Sequence, residues 1–310
     1  MSEKLTAVDE SLLETIADMP GGKTTGAYNI RKDSGCASRA TTENIDIRSK
    51  TDKPGIDIRV APGTAFESVH IPVVLTESGM NDLVYNDFYI GEGATVEIVA
   101  GCGIHNCGCD TSQHDGIHTF YIGKNAHVSY VEKHYGEGEG TGKRILNPQT
   151  IAYLEEGATL DMDTSQIRGV DDTKRFTKVV VGRGAEVVIS EKLLTHGEQS
   201  AVSDMEVELN GDGAKASITS RSVAKEQSHQ VFYPRLSGNC ACFGHVTCDA
   251  IIMDKARVRA IPELTANHVD AQLIHEAAIG KIAGEQILKL MTLGLTAEEA
   301  EQQILDGFLR

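Results

Sequence analysis

Between Tyr89 and Val258 the chain alternates apolar and polar residues around a recurring tight turn. Tyr89-Ile90-Gly91-Glu92-Gly93-Ala94-Thr95-Val96-Glu97-Ile98 is echoed by Tyr121-Ile122-Gly123-Lys124-Asn125-Ala126-His127-Val128 and by Tyr153-Leu154-Glu155-Glu156-Gly157-Ala158-Thr159-Leu160. A fourth copy is Val181-Gly182-Arg183-Gly184-Ala185-Glu186-Val187-Val188-Ile189, with looser ones around Ala214 and Ala256. The marker alanines at 94, 126, 158, 185, 214 and 256 are 32, 32, 27, 29 and 42 residues apart, and Gly63-Thr64 opens the series. Each unit reads strand, turn, strand. Glycine or asparagine supplies the positive φ of the turn, and the two-residue alternation is that of a half-buried strand. Recurrence at this period predicts a mainly β fold of stacked coils, a parallel β-helix (β-solenoid), with each rung burying its apolar face against the next.

The flanks read as helical. Leu12, Leu13, Ile16 and Met19 mark one face of a short helix stopped at Pro20-Gly21. From about Val269 the periodicity reads as 3.6. In the last helix Thr296 is the N-cap, Glu299 completes a capping box, and Ala300, Ile304, Leu305 and Phe308 share a face. The expected division is an N-terminal helical segment 1–27, a β-helix core 28–262 and a C-terminal helical region 263–310. Terminal helices either cover a solenoid end, which otherwise exposes strand edges, or dock a partner.

The net charge is −16, with 29 Lys and Arg against 45 Asp and Glu. With no basic block, nucleic acid is not an expected partner. No apolar run is long enough to cross a bilayer, and Met1-Ser2-Glu3-Lys4 lacks the order of a signal peptide; a cytoplasmic protein is expected. Seven cysteines in a reducing compartment suit burial, catalysis or metal binding better than disulfides. A core role is as good a reading for any single one, Cys36 included, and is the better one for Cys240 and Cys242.

Several motifs fail on inspection. Gly21-Gly22-Lys23-Thr24 has Ala17 where a phosphate loop needs its first glycine, and His275-Glu276 has Ile279 where a zinc protease needs its second histidine. The run from Gly136 to Gly142 reads as a flexible acidic loop. No nucleotide site is recognisable, so any ATP used is expected to be hydrolysed by a partner.

Two groups can carry chemistry. Cys248, in Val246-Thr247-Cys248-Asp249, precedes Glu276, in Leu273-Ile274-His275-Glu276-Ala277, by 28 residues. A thiolate, an imidazole and a carboxylate brought together can bind iron or a nascent cluster. The second group is Cys102, His105, Cys107 and Cys109, followed by His114 and His118. These could form a metal or cluster site of their own, zinc included, although C-x4-C-x-C matches neither the zinc nor the ferredoxin spacings. The alternative is a glycine-rich bend whose histidines make hydrogen bonds.

The block around Cys248, the His275-Glu276 pair, and the closing Lys281-Ile282-Ala283-Gly284-Glu285-Gln286-Ile287-Leu288 and Leu293-Gly294-Leu295-Thr296 closely resemble the C-terminal signature of the SufB/SufD family of iron–sulfur cluster assembly proteins. The resemblance implies a right-handed parallel β-helix and a compact, non-catalytic SufB-like scaffold. It implies a SufC-type ATPase held by the C-terminal helices, and iron or a transient iron–sulfur cluster bound where two scaffold subunits meet. A homodimer would then offer Cys248, His275 and Glu276 twice. Cys102 stands where SufB-type scaffolds resemble it with a sulfur-accepting cysteine, fed by a cysteine desulfurase or free sulfide, with Cys107 and Cys109 as helpers. Such transfer calls for a partly exposed thiolate. The alternative within the family is a SufD-like subunit that delivers iron without holding the cluster. An unrelated β-solenoid enzyme is less attractive, because aromatic residues are 5% and Trp is absent.

Overall fold

The computed structural model describes residues 5–309, so Met1-Ser2-Glu3-Lys4, read above for a signal peptide, lies outside the described residues. The fold is mainly β, with 56% of residues in strands, and forms a β-solenoid of about eight turns. Its two walls are sheets of eleven strands each among the described residues. In one wall, successive coils stack in parallel register: Thr95, His127, Thr159, Glu186, Lys215, Phe243 and Gln272 pair in a column. The marker alanines immediately before that column are buried at the corner. The residue preceding each alanine is left-handed, and Asn125 (φ 54°) does what glycine does at 93, 157, 184 and 213.

The 42-residue step to Ala256 has a topological cause. Arg257 pairs with His229 in the opposite wall, so Ala256 marks a different corner, shared with Ser228 and Gln199. The rungs that follow Ala214 place Cys242 and then Ala271 at the alanine corner. Cys242 is buried there, as is Cys240, whose thiol donates to the Leu209 carbonyl at 3.3 Å. The inner face is a continuous apolar core containing Phe88, Phe120, Val128, Val187, Ile218 and Val246. On the outer face the repeat tyrosines Tyr89, Tyr121 and Tyr153 stack, with ring centroids 5.2 and 5.6 Å apart.

Helix α1 (Ala7–Ala17) is opened by a capping box between Thr6 and Asp9 and buries Leu12, Leu13 and Ile16, as expected from their spacing. It lies across the strand Thr95–His105, where Gly101 and Gly103 leave room for it. A Cβ on Gly101 would stand 2.2 Å from the Ile16 carbonyl oxygen. At the other end, α2 (Gly284–Met291) and α3 (Ala297–Phe308) follow the last coil. The Thr296–Glu299 capping box is present, and Ala300 and Leu305 are buried. Among the described residues no helix is long and apolar enough to cross a membrane.

Two expectations need correction. The helical reading from Val269, and with it the boundary at 263, gives way to strands Glu263–Ala266 and Gln272–Gly280; the helices begin only at Gly284. The apolar residues of 272–280 satisfy either period over so short a run. The stretch 136–142 is no loose loop: Gly140 and Gly142 donate to the carbonyls of Asn106 and Gly108 at 3.1 Å, and a Cβ at 138, 140 or 142 would meet that backbone within 2.3 Å. For Cys36, where a core role is one of two open readings, the structure shows an exposed side chain.

Candidate cluster-binding site

Strand alternation decides which side chains meet. On Phe243–Ile252, Gly244, Val246 and Cys248 point inward while His245 and Thr247 face out. The register sets His275 beside Val246 and Glu276 beside Thr247. His275 therefore turns inward, and its Nε2 lies 3.3 Å from Cys248 Sγ. Glu276 turns outward, 67% exposed at its side chain, with Oε2 3.3 Å from His245 Nε2. The expected trio thus divides within one chain: Cys248 and His275 are together, and Glu276 belongs to the other face of the same strand.

Burial pushes the Cys248 thiol up to about 12, helped by the charges of Asp249 and Glu191. Burial and the neighbouring His245 lower His275, which favours the neutral imidazole that a metal requires. Beside Cys248 a small recess is lined by Ser220, Ser222, Phe232, Val258 and Ile279. Beyond it the wall ends, because Gln272–Gly280 is the last strand of its sheet and has no neighbour on its far side among the described residues.

Cys102 is placed differently from expectation. It points into the solenoid, 5% exposed, among Val73, Leu75, Ile104, Leu146 and Val170. The glycines beside it admit α1, not a partner. Burial drives its thiol well above the ordinary range, and the negative charges of Glu132 and Asp82 add to this. A buried, protonated thiol is a poor direct acceptor from an outside donor.

What lies between the two cysteines was not foreseen. Down the inner face, Glu132, Thr164, Glu191, Ser220 and Cys248 follow one another in register, coil after coil. Next to that column Cys102 stands in register with His134. Arg175, from the opposite wall, bonds Glu132 and lies 3.6 Å from Glu191. Ser203 and Ser220 donate to the two oxygens of Glu191 at 2.7 and 2.9 Å. Burial opposes the Glu132 charge, but Arg175 and His134 outweigh it and hold the carboxyl well below its usual range. The signal was present in the sequence. Glu132 and Glu191 occupy the apolar phase of their strands, at steps of two from Val128 and Tyr130, and from Val187 and Ile189.

The second cluster also divides. His114 and His118 are buried: His114 Nδ1 meets Asp82 Oδ2 at 3.0 Å, and His118 Nδ1 meets the Tyr130 hydroxyl at 2.8 Å. His105 and Cys107 lie outside the barrel wall with their own partners. Alternation within Ser112–Ile122 sends the even-numbered histidines inward, away from Cys107 and Cys109. Among the described residues, no group of three or more His, Cys, Asp and Glu side chains is arranged to hold a metal ion, so the proposed set of His105, Cys107, Cys109, His114 and His118 does not assemble.

Burial depresses His118 to about 4. A histidine lowered from 6.5 binds its proton more weakly when folded, so stability is intact above pH 6.5 and is lost as pH falls towards 4. The expected loss is about 3 kcal/mol. Urea unfolding at pH 7 and pH 4 measures it, and His118→Gln should show a smaller difference over the same interval; equal differences would contradict the assignment.

Comparison with known proteins decides the family. Residues 78–308 match the family described as SUF system FeS cluster assembly, SufBD core domain. The chain belongs to the SufBD family. Its place is therefore in iron–sulfur cluster assembly. It is 29% identical to the iron-sulfur cluster assembly SufBD family protein of Archaeoglobus fulgidus, over 90% of this chain and 73% of that one. A SufBD family protein of Methanothermobacter thermautotrophicus is 30% identical over 70% of this chain, and the match spans about half of that relative, 53%. MJ0034 of Methanocaldococcus jannaschii is 25% identical over 91% of this chain and 86% of its own length.

Proposed function

We propose that this SufBD protein is a scaffold on which iron and sulfide are combined, and that it works as a homodimer. The observation that carries the reading is the Cys248–His275 contact, one strand in from an unpaired sheet edge. An open edge offers a row of unpaired N–H and C=O groups, which a second copy of the same strand can satisfy about a two-fold axis. Each protomer then brings a thiolate and an imidazole to the seam, with Glu276 and His245 on its outer face as further oxygen and nitrogen donors. The cluster is cargo, and the chain supplies ligands without catalysing a reaction. Sulfur comes from a cysteine desulfurase or free sulfide, and the buried polar file from Cys102 to Cys248 is a route for its relay inside the solenoid.

The ATPase partner is a SufC-type subunit, docked on the C-terminal helices. In support, α2 buries none of its residues; Leu288 and Met291 stand exposed on it, and Leu293 just after it. One observation favours the second reading, a SufD-like subunit that delivers iron: Glu276 faces away from Cys248. Ile274→Lys tests the scaffold reading, since it puts a charge on the outer face of the edge strand. Sedimentation of wild type should give a dimer that retains iron and sulfide after anaerobic reconstitution, and the variant should shift to monomer and lose both. A monomeric wild type that holds iron without sulfide would favour the delivery subunit.

A further inference from the structure

Outside the wall, at the end of strand Thr95–His105, the exposed thiol of Cys107 lies 3.0 Å from His105 Nε2. On its other side, His105 Nδ1 lies 3.0 Å from Glu137 Oε1. The second oxygen of Glu137 accepts the Tyr135 hydroxyl at 3.1 Å, and that hydroxyl accepts Arg168 at 3.1 Å. A carboxylate that accepts the Nδ1–H hydrogen bond keeps the proton on Nδ1 and leaves the Nε2 lone pair facing the thiol. Nucleophile, base and orienting acid are then in line, the arrangement that activates a side-chain nucleophile.

The backbone holds this geometry from both sides. Asn106 is fully buried; its amide N–H donates to the Glu137 carbonyl at 2.9 Å, and its side chain donates to the Asp110 carbonyl at 2.8 Å. Its side-chain oxygen accepts the Gly108 N–H at 3.0 Å. The glycines of 138–142 press against the same segment, which explains why that stretch carries no side chains at those positions. The known needs of the solenoid do not account for an exposed Cys-His-Glu line on a rigidly held bend.

We propose that Cys107, with His105 as base and Glu137 as positioning residue, is a nucleophilic thiol that takes sulfane sulfur from a persulfide donor. This rests on the assembly reading above, and it moves the outer sulfur acceptor from buried Cys102 to Cys107. His105 Nε2 takes the Cys107 proton, and the thiolate attacks the terminal sulfur of R–S–SH. A new S–S bond forms on Cys107 as the donor's S–S bond breaks. Its electron pair leaves on R–S⁻, which recovers the proton from His105, so no outside oxidant or reductant is consumed.

The test is a competition within one chain. Purified wild-type protein is treated with limiting iodoacetamide and, separately, with glutathione persulfide, and each cysteine is read by peptide mass spectrometry. Cys107 should alkylate about tenfold or more faster than Cys36 and Cys109, which are also exposed, and should carry the added sulfur atom. His105→Gln should remove that advantage, and Glu137→Gln should reduce it while the rates of Cys36 and Cys109 stay unchanged. Equal rates for the three cysteines in wild type, an unaltered Cys107 rate in His105→Gln, or sulfur found only on other cysteines would overturn the proposal. Neither reaction uses iron, so this outcome is independent of whether Cys248 holds a cluster.

Discussion

Cys248→Ser should lose essentially all iron and acid-labile sulfide after anaerobic reconstitution, while its circular dichroism and gel-filtration profile match those of wild type. The substitution removes one soft ligand and changes little else: serine is close in size, and the position sits in a wall whose backbone bonds do not depend on it. The thiol, raised to about 12 by burial, stays protonated at neutral pH until a metal displaces the proton. Loading should therefore release protons and strengthen with rising pH. His275, lowered by burial, is already neutral and ready to bind. Wild-type cluster content in Cys248→Ser would count directly against the assignment.

Arg175→Met should destabilise the protein by about 3–5 kcal/mol, because it strands two buried carboxylates, Glu132 and Glu191, without their shared cation. Thermal unfolding measures the loss. The same reasoning predicts that adding Glu132→Gln and Glu191→Gln to the methionine variant recovers much of the stability, since the uncompensated charges are then gone. If the polar file relays sulfur to Cys248, the triple variant should fold well yet assemble clusters poorly from a sulfur donor. Full assembly activity in a stable triple variant would reduce the file to a structural feature.

The coil architecture was legible because its signals are local: a left-handed turn residue, an alanine at the corner and strict alternation on both sides. The last strand was not legible, because nine residues of mixed apolar pattern, Gln272–Gly280, fit a helix as readily as a strand. The difference between helix and strand decides the site. On a helix, His275 and Glu276 project about 100° apart and could share a ligand sphere, but on a strand neighbours face opposite ways, so only His275 reaches Cys248. The same two-residue period separates His105 from His114 and His118 and buries Cys102. Spacing along the chain singles out Cys248 and His275, which the fold brings into contact, whereas the face each side chain occupies depends on register with the neighbouring coil. Glu132 and Glu191 were overlooked because charged residues in the inward phase look like interruptions of the pattern until Arg175 from the other wall is seen between them.

The most direct measurement is iron-edge X-ray absorption on the anaerobically reconstituted protein, comparing wild type with Cys248→Ser and His275→Ala. The account predicts iron with sulfur and nitrogen scatterers in wild type, loss of bound iron in the cysteine variant, and loss of the nitrogen shell in the histidine variant. Iron bound with the same sulfur and nitrogen shells in all three proteins would contradict it.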